Sequence, residues 1–166
     1  PAESGIKLSG LVWAATLRES EFYFPMNGAR VQSLAQILKD HRQIDTPIEL
    51  PTYQSLTGMM HGFIDLIFEC EGRYYLADYK STHLGNSLSD YNLASLKNNN
   101  EVHFYDLQYL IYSLALHRYL ATRIDDYDPA RHFGGVYYLY LRGMQPGSDT
   151  GIFHTQISPK LLRDLD

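Results

Sequence analysis

Two apolar segments joined by a Glu71-Gly72 pair constrain the fold of this chain more than any other feature. Met60–Cys70 and Arg73–Ser81 are rich in β-branched and aromatic residues, which are typical of strands. Two such runs separated by two residues that include a glycine predict a β-hairpin. Both runs are too apolar for exposed strands, so we expect the hairpin to lie inside a larger sheet.

Three charged residues interrupt this otherwise apolar hairpin. Asp65 lies within the segment GFIDLIF of the first strand, and Asp78 and Lys80 lie near the end of the second strand. Because side chains on a strand alternate between its faces, Asp78 and Lys80 project to one face, and Ala77 and Tyr79 project to the other. Aspartate and lysine are rarely buried unless they are paired, so their presence here needs a physical reason.

The charges allow two interpretations. In the first, Asp78 or Asp65 forms an ordinary ion pair with Lys80 on a solvated strand face, an arrangement that is common and contributes little stability. In the second, the two carboxylates hold a cation, because they would otherwise repel each other and because oxygen ligands suit Mg²⁺. A lysine beside such a pair is typical of a site where anionic charge develops or a water is activated. The apolar neighbours favour the second interpretation.

The pattern around the hairpin alternates strands with helices. Glu21–Phe24 and Ile152–Thr155 are predicted as short strands, and Phe133–Leu141 as a longer strand. Asn27 to about His41 is predicted as a helix, and Glu101 to about Thr122 as a long helix that is covered over most of its surface. Ser158 followed by Pro159 is typical of the start of a final helix.

Four stretches are predicted to lack regular structure, namely 44–56, 83–90, Asn98–Asn100 with its flanks, and 125–132. No internal repeat and no domain boundary is visible, so we expect a single domain over residues 1–166. Strands before and after long helices predict an α/β or α+β domain with a central mixed sheet. The chain starts at Pro1 without a methionine and stops within its last predicted helix, so we expect a piece excised from the C-terminal part of a larger protein.

Composition limits the possible function classes. The 166 residues are 45% hydrophobic, enough for one core, and the net charge of −5 argues against a protein that binds nucleic acid by bulk electrostatics. An enzyme in which bound cations supply the positive charge stays possible. Cys70 is the only cysteine, which excludes an internal disulfide and a four-cysteine zinc or iron–sulfur site, and favours a reducing, cytoplasmic setting. No apolar run approaches the length of a membrane span.

The segment GFIDLIFECEGRYYLADYKSTHLG resembles the nuclease core of the RecB family, the helicase–nuclease subunits of bacterial RecBCD enzymes (exodeoxyribonuclease V). It also has the form of the wider PD-(D/E)XK superfamily, in which an aspartate is followed, across a hairpin turn, by Asp-x-Lys. The resemblance continues through YDLQYLIYSLALHRYL and HFGGVYYLYLRG and covers most of residues 57–143. It implies a restriction-endonuclease-like α/β fold, with a central mixed sheet flanked by helices.

The resemblance also implies roles for individual residues. Asp65 and Asp78 match the metal-binding carboxylates of the family, and the backbone carbonyl of Tyr79 matches a further metal ligand. Lys80 matches the catalytic lysine, and the implied cofactor is Mg²⁺.

Gln108 and Tyr112 match the QxxxY motif of the family, which lies near the DNA and the active site. Their spacing puts both side chains on one helical face. The alternative is a buried polar pair on a helix that faces the core.

The resemblance is incomplete at one ligand. The metal site of the family also uses a histidine well upstream of the aspartate that Asp65 matches, farther than this chain extends, and none of the seven histidines maps to it. We therefore expect the chain alone to bind Mg²⁺ weakly and to be inactive. His61 and His83 flank the hairpin, but lone histidines are more often surface or core residues than ligands. Glu21, in ESEFYFP, is expected to support the site or the fold.

Taken together, the resemblance implies a Mg²⁺-dependent DNA exonuclease domain that hydrolyses phosphodiester bonds in double-strand-break repair by homologous recombination and in degradation of linear DNA. Motor domains that this chain lacks would supply single strands, and RecC, RecD and RecA are the implied partners. Candidate DNA contacts, which form no pattern, are Arg18, Arg30, Lys39, Arg42, Lys97 and Arg142. The alternative is a nuclease-like interaction or DNA-binding module that has lost catalysis, against which the presence of Asp65, Asp78 and Lys80 argues.

Overall fold

The computed structural model describes residues 10–11, 16–26, 28–50 and 58–166. Within these residues a five-stranded mixed sheet is flanked by helices, which confirms the predicted α/β class and is consistent with a nuclease-like fold. The strands are β1 (Thr16–Met26), β2 (Gly58–Cys70), β3 (Arg73–Lys80), β4 (Phe133–Tyr140) and β5 (Ile152–Thr155). The helices are α1 (Gly28–Arg42), α2 (Leu93–Val102), α3 (Tyr105–Ala121), α4 (Pro129–His132) and α5 (Pro159–Leu165).

The strands lie in the order β1-β2-β3-β4-β5 across the sheet. Three neighbouring pairs are antiparallel, and β3 and β4 are parallel, joined by a crossover that contains α2, α3 and α4. The predicted hairpin is confirmed as β2 and β3, which pair from Cys70 with Arg73 onward. Glu71 and Gly72 both have positive φ, 53° and 76°, as the tight two-residue turns of hairpins require. β3 therefore lies at the centre of the sheet.

The two faces of the sheet are covered differently. One face packs against a large apolar core to which α1, α2, α3 and α5 all contribute, with Leu38, Leu96, Leu110 and Leu162 fully buried. The other face carries a smaller cluster from β2, β3 and β4. Because α3 crosses the first face, its side chains lie against the sheet where β3 ends. No helix among the residues described is long and apolar enough to span a membrane.

The prediction that Asn98–Asn100 and its flanks form a loop is wrong, because these residues lie in α2. Asn92 begins the helix by accepting the backbone N–H of Ser95 with its side chain. Asn99 and Asn100 are buried and bind the hydroxyl of Tyr140 at 2.9 and 2.7 Å. These tertiary contacts override the low helix propensity of asparagine.

The single long helix predicted from Glu101 is also wrong, since α2 ends at Val102 and α3 begins at Tyr105. Phe104, between them, has a left-handed φ of 54°, which interrupts the helical path. Arg42 of α1 holds this break: its guanidinium donates to the carbonyl of Glu101 at 2.8 Å and lies 4.9 Å from the centre of the Phe104 ring. The break sets the direction of α3 across the sheet.

The remaining boundaries differ from the predictions by a few residues. β1 is longer than the predicted strand at Glu21–Phe24, and the predicted loop 125–132 ends in the short helix α4. The predicted start of α1 at Asn27 and residues 51–56 of the predicted connector lie outside the described residues, and residues 44–50 of the connector contain no helix or strand, as predicted. Ser158 caps α5 as predicted, since its hydroxyl accepts the N–H of Leu161 at 3.1 Å.

Candidate active site

Asp65 lies at the point where the pairing of β2 with both neighbouring strands is interrupted. The pairing of β2 with β3 ends at Leu66 opposite Ala77, and the pairing of β2 with β1 skips Asp65. The side chain of Asp65 provides a hydrogen bond in place of a backbone bond between the two strands, because its Oδ2 accepts the backbone N–H of Tyr79 at 2.9 Å. One more step of the register would set Asp65 opposite Asp78, so both carboxylates lie at the same end of the hairpin.

Asp78 and Lys80 lie on one face of β3, as the alternation of strand side chains predicts. Asp78 Oδ2 and Lys80 Nζ are 2.7 Å apart, and the residues are only 6% and 8% exposed. The ion pair of the first interpretation therefore exists, but it is buried and does not lie on a solvated face. Ala77 packs in the smaller cluster on the opposite face, and Tyr79 is 44% exposed there.

Two tyrosines that the sequence analysis missed enclose the ammonium of Lys80. Its Nζ lies 3.8 Å from the ring centre of Tyr105 and 4.5 Å from that of Tyr138. Such contacts stabilise a cation most where water is excluded. Tyr138 lies opposite Asp78 in the parallel register of β3 and β4. A sequence-based prediction that paired these two strands correctly would therefore have placed Tyr138 beside the site.

Gln108 and Tyr112 face this site from α3. Gln108 Oε1 accepts from Lys80 Nζ at 2.9 Å and from the hydroxyl of Tyr138 at 2.7 Å. Its Nε2 donates to the hydroxyl of Tyr112 at 2.8 Å. Gln108 and Tyr112 thus form a partly buried polar pair, and Gln108 is bonded directly to the candidate catalytic lysine.

Burial raises the pKa of Asp78 above that of an ordinary aspartate. The charge of Asp65 raises the same pKa further, whereas Lys80 lowers it through its hydrogen bond and its charge. Burial, with a contribution from the charge of Asp78, raises the pKa of Tyr112 to about 12. At neutral pH Tyr112 therefore carries its proton and can act as a hydrogen-bond donor.

The donor set at this point of the sheet fits a divalent cation. Asp65 and Asp78 each use only Oδ2 in the hydrogen bonds and ion pairs made by the described residues. Mg²⁺ typically takes one or two protein carboxylates together with waters and substrate phosphates. Among the described residues no group of three or more His, Cys, Asp or Glu side chains is arranged to hold a metal ion. The carbonyl of Tyr79 stays a predicted ligand.

A cleft of about 290 Å³ opens beside the site, between α3 and the first half of β2. Its lining includes Phe22, His61, His103, Tyr105, Gln108 and Tyr112. The side chain of Phe22 packs there in an edge-on contact with the Tyr112 ring, with 5.2 Å between ring centres. Gln108 and Tyr112 belong both to the cleft and to the polar network around Lys80, so the cleft gives access to that network.

His61 and His83, which flank the hairpin, each contact a different nearby side chain. His61 Nε2 is 2.6 Å from Glu21 Oε1, which also accepts from the hydroxyl of Tyr23 at 2.9 Å. His83 lies 3.1 Å from the side-chain oxygen of Asn86. Glu21 thus contacts His61, one of the residues that line the cleft, and its supporting role stays a prediction.

Among the candidate DNA contacts, the guanidinium of Arg42 is engaged inside the fold. Its guanidinium makes a two-point ion pair with the buried carboxylate of Asp106, at 2.5 and 2.9 Å, and so fixes α1 to α3. Arg142 donates to the carbonyl of Ser81 at 2.9 Å, directly after β3. The side chain of Arg30 lies outside the described part of the chain.

Curated proteins are similar in sequence to most of this chain. The chain is 43% identical to "RecBCD enzyme subunit RecB" of Haemophilus influenzae over 165 residues, which are 99% of this chain and 14% of that protein. The Escherichia coli subunit of the same name is also 43% identical, over 99% of this chain and 14% of its own length. The Mycobacterium tuberculosis subunit is 36% identical over 87% of this chain and 15% of its own length. No family profile matches the chain.

Proposed function

Because the chain belongs to the RecB family, we propose that it is the nuclease domain of a RecB-type helicase–nuclease. The chain spans 14% of the length of the two RecB subunits to which it is 43% identical. It would hydrolyse phosphodiester bonds of linear DNA. The observation that carries the proposal is the buried Asp78–Lys80 pair with Asp65 beside it, at the end of a central strand. A buried ion pair contributes little net stability, so stability alone is a weak reason for its presence.

Asp65 and Asp78 would hold Mg²⁺ through their remaining oxygens, with the carbonyl of Tyr79 as a further ligand. A bound Mg²⁺ polarises a phosphate oxygen and lowers the pKa of a coordinated water. Burial makes ionised Asp78 unfavourable without a compensating cation, and Lys80 alone compensates it only in part, since the pKa of Asp78 stays raised. A second cation at this site is therefore electrostatically favourable.

Lys80 would act on the phosphate or on the attacking water. Of its three N–H groups, one is directed at Asp78 and one at Gln108. The third can donate to a phosphate oxygen as negative charge develops there, or orient the water that attacks phosphorus. The rings of Tyr105 and Tyr138 restrict the directions that this third N–H can take.

The substrate is proposed to enter through the cleft that Gln108 and Tyr112 line. The hydroxyl of Tyr112 accepts from Gln108 and keeps its own proton, so it can donate to a phosphate oxygen of the DNA. Single strands that motor domains release from duplex DNA would be the natural substrate of an exonuclease working in double-strand-break repair. A contact with RecC- and RecD-type subunits is proposed from the name of the complex that the relatives carry. Binding of RecA stays a prediction from the resemblance.

The proposal is tested by Mg²⁺-dependent cleavage of linear single- and double-stranded DNA, with the full-length protein and with the chain alone. Asp78→Ala and Lys80→Ala should each abolish cleavage by the full-length protein. The matched control is Lys160→Ala with Asp164→Ala, which removes a pair of the same charges at 2.6 Å on the exposed face of α5 and should leave cleavage unchanged. Wild-type rates in both site variants would overturn the assignment.

The chain alone is expected to bind Mg²⁺ weakly, because the described residues bring two carboxylates, Asp65 and Asp78, to the proposed site and form no group of three or more His, Cys, Asp or Glu side chains there. If the full-length protein binds DNA but releases no nucleotides at any Mg²⁺ or Mn²⁺ concentration, the chain is a nuclease-like binding module instead.

A further inference from the structure

Tyr138 lies beneath the candidate site at the centre of the sheet. It is fully buried, and its ring supports the ammonium of Lys80 at 4.5 Å. Its hydroxyl is 2.7 Å from Gln108 Oε1 and 3.1 Å from the carbonyl oxygen of Tyr105. Burial raises the pKa of Tyr138 well above that of an exposed tyrosine, so the hydroxyl keeps its proton and donates it.

The contacts of Lys80 and Tyr138 together hold the Gln108 amide in one orientation. The ammonium of Lys80 can only donate, so it requires the amide oxygen of Gln108 to face it. The Tyr138 hydroxyl lies 2.7 Å from the same oxygen and donates to it, sharing its proton with the carbonyl of Tyr105 at 3.1 Å. The amide oxygen of Gln108 must therefore face Lys80 and Tyr138, and the amide nitrogen must face Tyr112. As a result the hydroxyl of Tyr112 receives a hydrogen bond from Gln108, and its own proton is left to point elsewhere.

We propose that Tyr138 is a positioning residue of the nuclease site. Its ring supports Lys80 from below, and its hydroxyl fixes Gln108, so that a lysine N–H and the Tyr112 O–H are both directed at the scissile phosphate. The inference rests on the proposed nuclease function and adds to it the residue that aligns two donors before substrate arrives. Alignment of this kind acts on the chemical step, since misplacing a catalytic group by a fraction of an ångström lowers its effect.

Packing alone does not explain the Tyr138 hydroxyl. A buried hydroxyl carries a desolvation cost that its hydrogen bonds offset, and a phenylalanine ring of the same shape would fill the same space without that cost. Tyr140, two residues further along the same strand and equally buried, provides a comparison. Its hydroxyl bonds to Asn99 and Asn100 of α2 and thus only joins the helix to the sheet.

The experiment compares Tyr138→Phe with the matched control Tyr140→Phe in the full-length protein. Each change deletes one fully buried hydroxyl from β4 and two short contacts. The readouts are kcat and KM for Mg²⁺-dependent cleavage of single-stranded DNA, the Kd for the same DNA without cleavage in Ca²⁺, and the unfolding temperature. We expect Tyr138→Phe to lower kcat about tenfold with KM and Kd unchanged, which is less than the roughly 100-fold loss caused by a misplacement of about 1 Å. Tyr140→Phe should lower the unfolding temperature and leave kcat unchanged.

A double variant separates alignment from a general loss of stability. Gln108→Leu removes the residue through which Tyr138 acts, so Tyr138→Phe should cause no further loss of kcat in that background. Additive losses, or equal losses of kcat in Tyr138→Phe and Tyr140→Phe, would overturn the inference. If Tyr138→Phe does not fold, Gln108→Met tests the same link at a half-buried position of α3, and an unchanged kcat there also overturns it. Absence of cleavage by the wild-type protein would instead refute the proposed function.

Discussion

Removing the ammonium of Lys80 tests whether the site is as buried and as coupled as the structure indicates. In Lys80→Met the side chain keeps most of its length, while Asp78 loses the partner that lies 2.7 Å away. Both side chains are only 9% exposed, so solvent screening does not reduce the effect to that of a surface pair. Breaking a buried pair by removing one partner costs roughly 3–5 kcal/mol of unfolding free energy. We expect about 3 kcal/mol, the lower end of this range, because Asp78 can respond by taking up a proton.

The assay is urea-induced unfolding followed by far-UV circular dichroism. With an m-value of about 2 kcal/mol/M, a loss of about 3 kcal/mol lowers the unfolding midpoint by about 1.5 M. Asp78→Asn combined with Lys80→Met removes both charges, and we expect it to return the midpoint to within about 0.5 M of the wild type. The recovery should be absent if the two residues do not interact.

The pH dependence of the Lys80→Met penalty has a definite sign. The pKa of Asp78 is raised in the folded protein, so its neutral form favours folding, and this contribution is lost as pH rises through the folded-state pKa. The penalty should therefore be largest at neutral pH and shrink as the pH falls through the raised pKa. A midpoint in Lys80→Met within 0.3 M of the wild type at every pH, roughly 0.6 kcal/mol at the same m-value, would refute the reasoning.

Three further outcomes follow from the same geometry. Because the pKa of Asp78 is raised in the metal-free protein, protons compete with Mg²⁺ for its carboxylate, so the Kd for Mg²⁺ should rise as the pH falls toward that pKa, and a Kd that does not change with pH would contradict this. Asp65→Asn should weaken Mg²⁺ binding at least tenfold in calorimetry yet change stability by less than about 1 kcal/mol, since an amide oxygen can still accept the Tyr79 N–H. Asp106→Asn should cost roughly 2–4 kcal/mol by weakening its two-point pair with Arg42, while kcat per folded molecule stays unchanged.

The parts of the site that sequence could predict are those that depend on local periodicity. Asp78 and Lys80 share a face because strand side chains alternate, and Asp65 joins them because a two-residue turn fixes the register of the hairpin. The spacing of Gln108 and Tyr112 likewise follows from one helical turn. Each of these inferences uses a fixed geometric repeat.

The parts that sequence could not predict depend on contacts between distant segments. Tyr105 and Tyr138 enclose Lys80 only because β4 pairs in parallel with β3 and because α3 begins after the break at Phe104. The asparagines of α2 looked like loop residues, and their helix is maintained by the buried hydroxyl of Tyr140, forty residues away in sequence. No local pattern reports such partners, since the same residues in another tertiary setting favour turns.

The most direct test of the central claim is DNA cleavage by the full-length protein that carries both Asp78→Asn and Lys80→Met. This variant is expected to fold almost as stably as the wild type, so a loss of activity reports on chemistry and not on folding. The account predicts no Mg²⁺-dependent release of nucleotides from linear single-stranded DNA, with unfolding midpoint and DNA binding close to those of the wild type. Cleavage at the wild-type rate would show that the buried pair is only structural and that the nuclease site lies elsewhere.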